Sequence, residues 1–139
     1  KESFGIREAR TCYDHLAGKI GVGVFKALIE QRALIYTEED TGTKTSPGRV
    51  DTGPGAAEVF KKFGIDTETV RQSKRKLVGA CLDWTERQPQ LSGSLGAALL
   101  TRMLEMEWLM KQRGNRAVIL TKSGKAGLKK IFGNLIVVE

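Results

Sequence analysis

An internal duplication is the sequence feature that most constrains how this chain can fold. Cys12-Tyr13-Asp14-His15 matches Cys81-Leu82-Asp83-Trp84 at an offset of 69 residues. Six extra residues, Thr85 to Gln90, then shift the offset to 75 before it returns to 69. The later matches include the pairs Leu16/Leu91, Gly18/Gly93, Gly21/Gly96, Thr52/Thr121 and Gly64/Gly133. An ordered series of this kind predicts two similar structural units packed together.

Periodicity indicates the same order of elements in both copies. Apolar residues at helical spacing run from Ile20 to Leu28 and again from Leu95 to Leu104. Glycine pairs precede or open both helices, and we expect them to allow close packing against a neighbouring element. Ser92 or Ser94 is the expected N-cap of the second helix. Two strands and a closing helix follow each time. The strands are predicted at 33–37 and 49–52, then at 108–111 and 116–121; the closing helices at 54–63 and 123–132 are capped by Thr52 and Thr121.

These patterns predict an α+β fold, mostly helical, built from two tandem winged-helix-like repeats. Each repeat has the order helix, helix, β-hairpin, helix. The first covers residues 4–65 and the second covers residues 80–134, and a polar connector helix occupies residues 66–79. We expect both repeats to pack into one compact unit.

Composition narrows the class of protein. The chain has 139 residues, of which 40% are hydrophobic, which is enough for a buried core. It contains no apolar run long enough for a membrane span and no signal-peptide layout, so we expect a cytoplasmic protein. Its 2 cysteines are too few for a disulfide scaffold and are expected to be reduced. The start at Lys1, without an initiator Met, suggests a fragment of a longer polypeptide.

Positive charge is concentrated in the second copy. Residues 1–69 carry 10 basic and 11 acidic side chains, whereas residues 70–139 carry 13 basic and 5 acidic ones. The tip of the first predicted hairpin is long and acidic, and that of the second is short and basic. A surface with an excess of positive charge attracts a polyanion such as DNA. A basic surface that only contacts solvent explains the charge distribution equally well. The predicted DNA-contacting residues are Arg113, Arg116, Lys122, Lys125, Lys129 and Lys130.

Thiol and imidazole groups form a second candidate site. Cys12 and His15 are three residues apart on the predicted first helix and would face the same side, a spacing that suits a soft or borderline metal ion. The duplication would bring Cys81 close to Cys12, with Asp14 or Asp83 completing the site. The alternative, which we favour, is that both cysteines are small buried core residues and that His15 makes an ordinary hydrogen bond.

Aromatic residues suggest a third candidate site. A cavity between the two copies would be lined by Tyr13, Phe25 and Trp84 and would hold a small-molecule effector. Trp108 is expected to fill the core between hairpin and helix. No set of nucleophile, base and oxyanion donors accompanies Asp14 or Asp83, so we do not expect an enzyme.

Several of these segments resemble the C-terminal half of bacterial ArsR-type winged-helix transcriptional regulators. They are Arg10 to Gly18, Cys81 to Arg87, Leu91 to Leu100, and Arg116 to Thr121 followed by Gly124. The resemblance extends from Phe4 to Gly133, with one departure, because a His is expected where Gln90 stands. It implies that an N-terminal domain reads DNA and that this region regulates.

The resemblance implies effector sensing, organisation of a homodimer, or both, with auxiliary contact between the second wing and the DNA backbone. No cofactor is expected apart from a metal ion. Two other hypotheses stay open. In one, the second repeat binds DNA directly. In the other, Cys12, His15 and Cys81 form a metal- or thiol-redox-sensing domain.

Overall fold

The fold was analysed in a computed structural model that describes residues 9–12, 14–38, 48–83, 86–114 and 116–136. Helices and small antiparallel hairpins alternate in this part of the chain, so the predicted α+β class is confirmed. The strands are β1 Arg10–Cys12, β2 His15–Ala17, β3 Leu34–Glu38, β4 Arg49–Thr52, β5 Gly79–Leu82, β6 Pro89–Ser92, β7 Leu109–Lys111 and β8 Val118–Leu120. The helices are α1 Gly18–Glu30, α2 Ala56–Lys61, α3 Thr67–Arg71, α4 Gly93–Glu105 and α5 Lys122–Phe132, followed by a 3₁₀ turn at Gly133–Leu135.

The predicted first helix of each repeat is wrong, because a hairpin stands in its place. Strands β1 and β2 pair so that Cys12 lies opposite His15, and β5 and β6 pair so that Cys81 lies opposite Gln90. Strand β1 also has a partner on its other side, since the Thr11 amide donates to the Arg116 carbonyl at 2.9 Å. In the described residues both halves therefore have the order hairpin, helix, hairpin, helix, and α3 lies between them where the connector helix was predicted.

Helices α1 and α4 confirm the two amphipathic segments. Each starts directly at the end of a strand, at Gly18 with φ +82° and at Gly93 with φ +81°. Only glycine adopts this left-handed conformation freely, which allows the abrupt change from strand to helix. Ser92 is the N-cap residue of α4, as predicted, but its side chain makes no capping hydrogen bond. The Ser94 hydroxyl instead donates to the Lys76 carbonyl at 3.0 Å.

The later elements of each half follow the prediction more closely. Hairpins β3–β4 and β7–β8 lie where strands were expected. Thr121 caps α5 by accepting a hydrogen bond from the Gly124 amide at 3.0 Å. Helix α2 is shorter than the predicted 54–63, and its N-cap residue is Gly55 rather than Thr52. Gly64 and Gly133 follow α2 and α5 with positive φ, as helix-ending residues do.

One hydrophobic core contains residues of both halves. Phe25 and Leu28 of α1 share it with Leu95 and Met103 of α4. A small space between the two halves is bounded by Leu16, Gly21, Val24, Leu91, Gly96 and Leu99. It measures about 10 Å³, which is at most enough for one water molecule. Among the described helices, none combines the length and the apolar character that a membrane crossing requires.

Candidate functional site

Two hairpins bring Cys12, His15 and Cys81 together. The two sulfur atoms and one ring nitrogen of His15 all lie within 4.8 Å of one another. Cys12 and His15 share one side because they face each other across β1 and β2, and not because they are one helical turn apart. Both cysteines are half-buried free thiols. The sequence therefore predicted the right group of residues on the wrong secondary structure.

His15 is the most unusual member of this cluster. Its side chain is buried, with 5% relative exposure, and within the described part of the chain neither ring nitrogen has a hydrogen-bond partner. The nearest acid is Asp14, whose Oδ1 lies 3.6 Å from His15 Nδ1, beyond hydrogen-bonding distance. Burial lowers the pKa of His15, and the Asp14 carboxylate opposes this effect. His15 is thus neutral near pH 7, and one of its ring nitrogens offers a lone pair.

Cys81 and Gln90 form the other half of the cluster. Burial raises the pKa of the Cys81 thiol, and the neighbouring Cys12 thiol raises this pKa further. The Gln90 amide nitrogen lies 3.9 Å from Cys81 Sγ and has the opposite effect, because donation to sulfur favours the thiolate. Gln90 is fully buried. Sequence reasoning gave it no role, although its pairing with Cys81 mirrors the pairing of His15 with Cys12.

The two acids next to the cluster have structural partners. Asp14 Oδ2 accepts from Arg75 at 2.6 Å, and although burial opposes ionisation of Asp14, this contact lowers its pKa. Asp83 is completely buried and accepts from the Gly18 amide at 3.0 Å and from the Glu86 amide at 2.6 Å. Asp83 therefore connects the second half of the chain to the first turn of α1.

The predicted DNA-contacting residues lie on hairpin β7–β8 and on α5. Arg113 and Arg116 are exposed beside the turn between the two strands, and Lys122, Lys129 and Lys130 are exposed on the helix. Lys125 is half-buried. The first turn of α5 contains no acidic residue, and two of these lysines lie near its positive end. The macrodipole disfavours cations there, whereas Lys129 and Lys130 lie in the last turn, where it favours them.

The predicted effector residues lie partly outside the described ranges. Tyr13 and Trp84 fall there, so their role stays a prediction. Phe25 is a core residue, only 1% exposed, and its ring packs edge-on against Tyr36 at a centroid distance of 6.2 Å. Trp108 packs against Phe63 at 5.9 Å, as expected for a residue that fills the space between hairpin and helix.

The structure has a surface cleft of about 480 Å³ that was not predicted from the sequence. It is lined by Lys62, Trp108, Gly127, Lys130 and Ile131. These residues come from both halves of the chain, so no local pattern reveals the cleft. Gly127 leaves the room for the indole, because a Cβ at this position would lie 2.2 Å from Trp108.

Comparison with known proteins gives one informative likeness. The chain is 42% identical over 130 residues to an uncharacterized HTH-type transcriptional regulator, YdfF, of Bacillus subtilis strain 168. The aligned region covers 94% of this chain but 54% of that protein, so the chain spans about half the length of the curated relative it matches. No protein-family model matches the chain. No solved structure matches it either. The chain is thus similar to one part of a transcriptional regulator.

Proposed function

We propose that this chain is the C-terminal regulatory region of a bacterial transcriptional regulator of the ArsR type. The observation that carries the proposal is the 42% identity to an HTH-type regulator over nearly the whole chain. In this proposal, base-specific reading of DNA belongs to a separate domain. The region itself senses an effector, organises a homodimer, or does both.

The basic surface supports an auxiliary contact with the DNA backbone. Arg113 and Arg116 are exposed at a hairpin tip, and Lys122 begins the helix that follows this hairpin. Basic side chains on a wing position a protein on phosphates without reading sequence. The lysines in the first turn of α5 oppose the helix macrodipole, and binding of a phosphate would offset this cost.

Fluorescence anisotropy with an arbitrary labelled duplex tests this contact. Between about 50 and 200 mM salt, each phosphate contact is expected to lower the affinity roughly three- to fourfold. The double variant Arg113→Ala/Arg116→Ala should bind more weakly. Its logarithmic salt slope should be smaller by about one for each contact that is lost.

Lys26→Ala is the matched control, because Lys26 is an exposed cation that belongs to α1 and not to the basic hairpin. It should bind DNA as the unmodified chain does. Binding that does not depend on salt would contradict the proposed backbone contact. An equal loss of binding free energy per removed charge in the Lys26 variant and in the double variant would indicate attraction by net charge alone.

A thiol-based sensor is the second candidate function, and the convergence of Cys12, His15 and Cys81 favours it. Strand β1 offers a physical connection to the basic hairpin. It carries Cys12, and the amide of Thr11 on the same strand donates to the carbonyl of Arg116. In this alternative, a change at the thiols that moves β1 also moves the backbone of Arg116.

A further inference from the structure

The cluster of Cys12, His15 and Cys81 needs a ligand to explain its composition. Among the described residues, neither ring nitrogen of the buried His15 has a hydrogen-bond partner, and this costs free energy because water or protein groups normally satisfy such atoms. One of these nitrogens lies within 4.8 Å of both thiol sulfurs. A structural core position would favour an apolar residue over His15. A group that binds sulfur and nitrogen together would satisfy the imidazole and both thiols.

We propose that Cys12, Cys81 and His15 bind one thiophilic metal ion, Zn(II) or Cu(I), between hairpins β1–β2 and β5–β6. The inference rests on the second candidate function above and names its ligand. Two thiolates and a neutral imidazole are the donors that soft and borderline ions prefer, whereas Mg²⁺ and Ca²⁺ prefer oxygen.

The distances between the donor atoms agree with a single ion. With metal–sulfur bonds of about 2.3 Å and metal–nitrogen bonds of about 2.0 Å, neighbouring donors around one ion are about 3.5–4 Å apart. The observed separations, up to 4.8 Å, need only a small contraction. The two strand pairs already hold Cys12 against His15 and Cys81 against Gln90, so this contraction does not require refolding.

The neighbouring side chains match the surroundings of a metal site. Ligating histidines usually direct their other ring nitrogen to a carboxylate, and Asp14 Oδ1, 3.6 Å from His15 Nδ1, needs to move only slightly closer to make this hydrogen bond. The Gln90 amide faces Cys81 Sγ at 3.9 Å and would stabilise a bound thiolate. Arg75 holds Asp14 in place at 2.6 Å. The ligands come from both halves of the chain, so a bound ion would link the two hairpins.

Cobalt substitution tests the proposal on the reduced chain without oxygen. Co²⁺ should bind at one ion per chain and give a thiolate-to-cobalt charge-transfer band, and Zn²⁺ or Cu(I) should remove this band. Asp14 lies beside the ligand His15 and does not bind the ion itself. Loss of such a neighbour lowers metal affinity roughly 10–100-fold, and we expect this loss for Asp14→Asn. Cys12→Ser, Cys81→Ser and His15→Gln each remove a ligand and should lower the affinity by at least roughly 100-fold.

Met110→Ala is the matched control, because Met110 is an exposed sulfur-containing residue on β7, 56% accessible. It should bind cobalt unchanged. If a cysteine variant fails to fold, the rate at which an alkylating reagent modifies the thiols of the unmodified chain is measured instead. Zn²⁺ should then slow the reaction of both thiols. Circular dichroism identifies variants that do not fold.

Three outcomes overturn the proposal. One is no charge-transfer band together with thiols that react equally fast with and without Zn²⁺. Another is equal binding by the three ligand variants, which indicates an adventitious ion. The third is a Cys12–Cys81 disulfide that forms in air in a chain that binds no metal, which indicates a redox pair. The third outcome would leave a thiol-based sensor without a metal ion, so failure of the metal site is distinct from failure of the second candidate function. All these readouts are also independent of the contact with DNA.

Discussion

At the scale of single residues, two buried polar side chains next to the hairpins differ in how well they are satisfied. Asp83 has no exposed surface and accepts two backbone hydrogen bonds, one of them from Gly18 at the start of α1. A carboxylate at the positive end of a helix is also favourable electrostatically. His15 is buried nearly as well, but neither of its ring nitrogens has a hydrogen-bond partner among the described residues. Asp83 therefore stabilises the fold, and His15 is the residue with an unexplained cost.

Replacement of Asp83 should destabilise the protein strongly. Asp83→Ala leaves the amides of Gly18 and Glu86 without their acceptor, and each buried unsatisfied donor costs about 1–3 kcal/mol. We expect the free energy of unfolding in urea to fall by about 2–4 kcal/mol. Asp83→Asn keeps one acceptor oxygen and should lose less. Asp51→Ala, at an exposed position, should change stability by no more than about 0.5 kcal/mol. Equal losses at both positions would contradict the role of Asp83.

The sequence predicted that Cys12, His15 and Cys81 lie together, but it did not predict the hairpins that hold them. A separation of three residues puts Cys12 and His15 on one side of a helix, and it also suits paired positions in a tight hairpin. The sequence alone does not distinguish these two cases. Gln90 had no predicted role, because its importance depends on the strand register opposite Cys81.

At the scale of elements, glycines on α1 and α4 set the distance between helices and hairpins. A Cβ at Gly21 would lie 2.7 Å from the Leu16 carbonyl oxygen, and one at Gly96 would lie 2.8 Å from that of Leu91. Backbone atoms cannot move aside as the end of a side chain can. The helices therefore approach the strands closely only because these positions lack a side chain, which is the packing reason predicted from the sequence.

Substitutions on α1 can separate this packing effect from helix propensity. Alanine favours a helix over glycine by about 1 kcal/mol. Gly21→Ala should nevertheless lower the free energy of unfolding by about 1–3 kcal/mol, because of the clash with Leu16. Gly23→Ala lies two residues further on, where the added Cβ meets Ile136 at an ordinary 3.4 Å, and should be neutral or stabilising. Thermal unfolding measures both variants, and equal effects would contradict the packing argument.

Element length explains why the two long helices were predicted correctly. Helices α1 and α4 have 13 residues each, enough for the apolar period to be unambiguous. Strands β1 and β2 have 3 residues each, too few to show any alternation. Their stability comes from partners distant in sequence, such as the Arg116 carbonyl that accepts from Thr11. Local patterns do not contain this information.

At the scale of the whole molecule, the two halves share their core. Leu28 is completely buried in the same cluster as Leu95 and Met103. The Gly18–Asp83 hydrogen bond and the cysteine cluster also join residues from the two halves. Cooperative unfolding of both halves is the expected consequence, because neither half has a separate hydrophobic core among the described residues.

Leu28→Ala tests this cooperativity. Truncation of a fully buried leucine costs about 2–5 kcal/mol, so the variant should unfold at lower urea concentration. Both tryptophans of the chain, Trp84 and Trp108, belong to the second half, whereas Leu28 belongs to the first. If the molecule unfolds as one unit, tryptophan fluorescence and far-ultraviolet circular dichroism should shift together by the same amount. A fluorescence midpoint that stays at its original value while circular dichroism shifts would mean that the halves unfold independently. In that case an ion bound by Cys12, His15 and Cys81 would act as a link between two domains rather than as a part of one core.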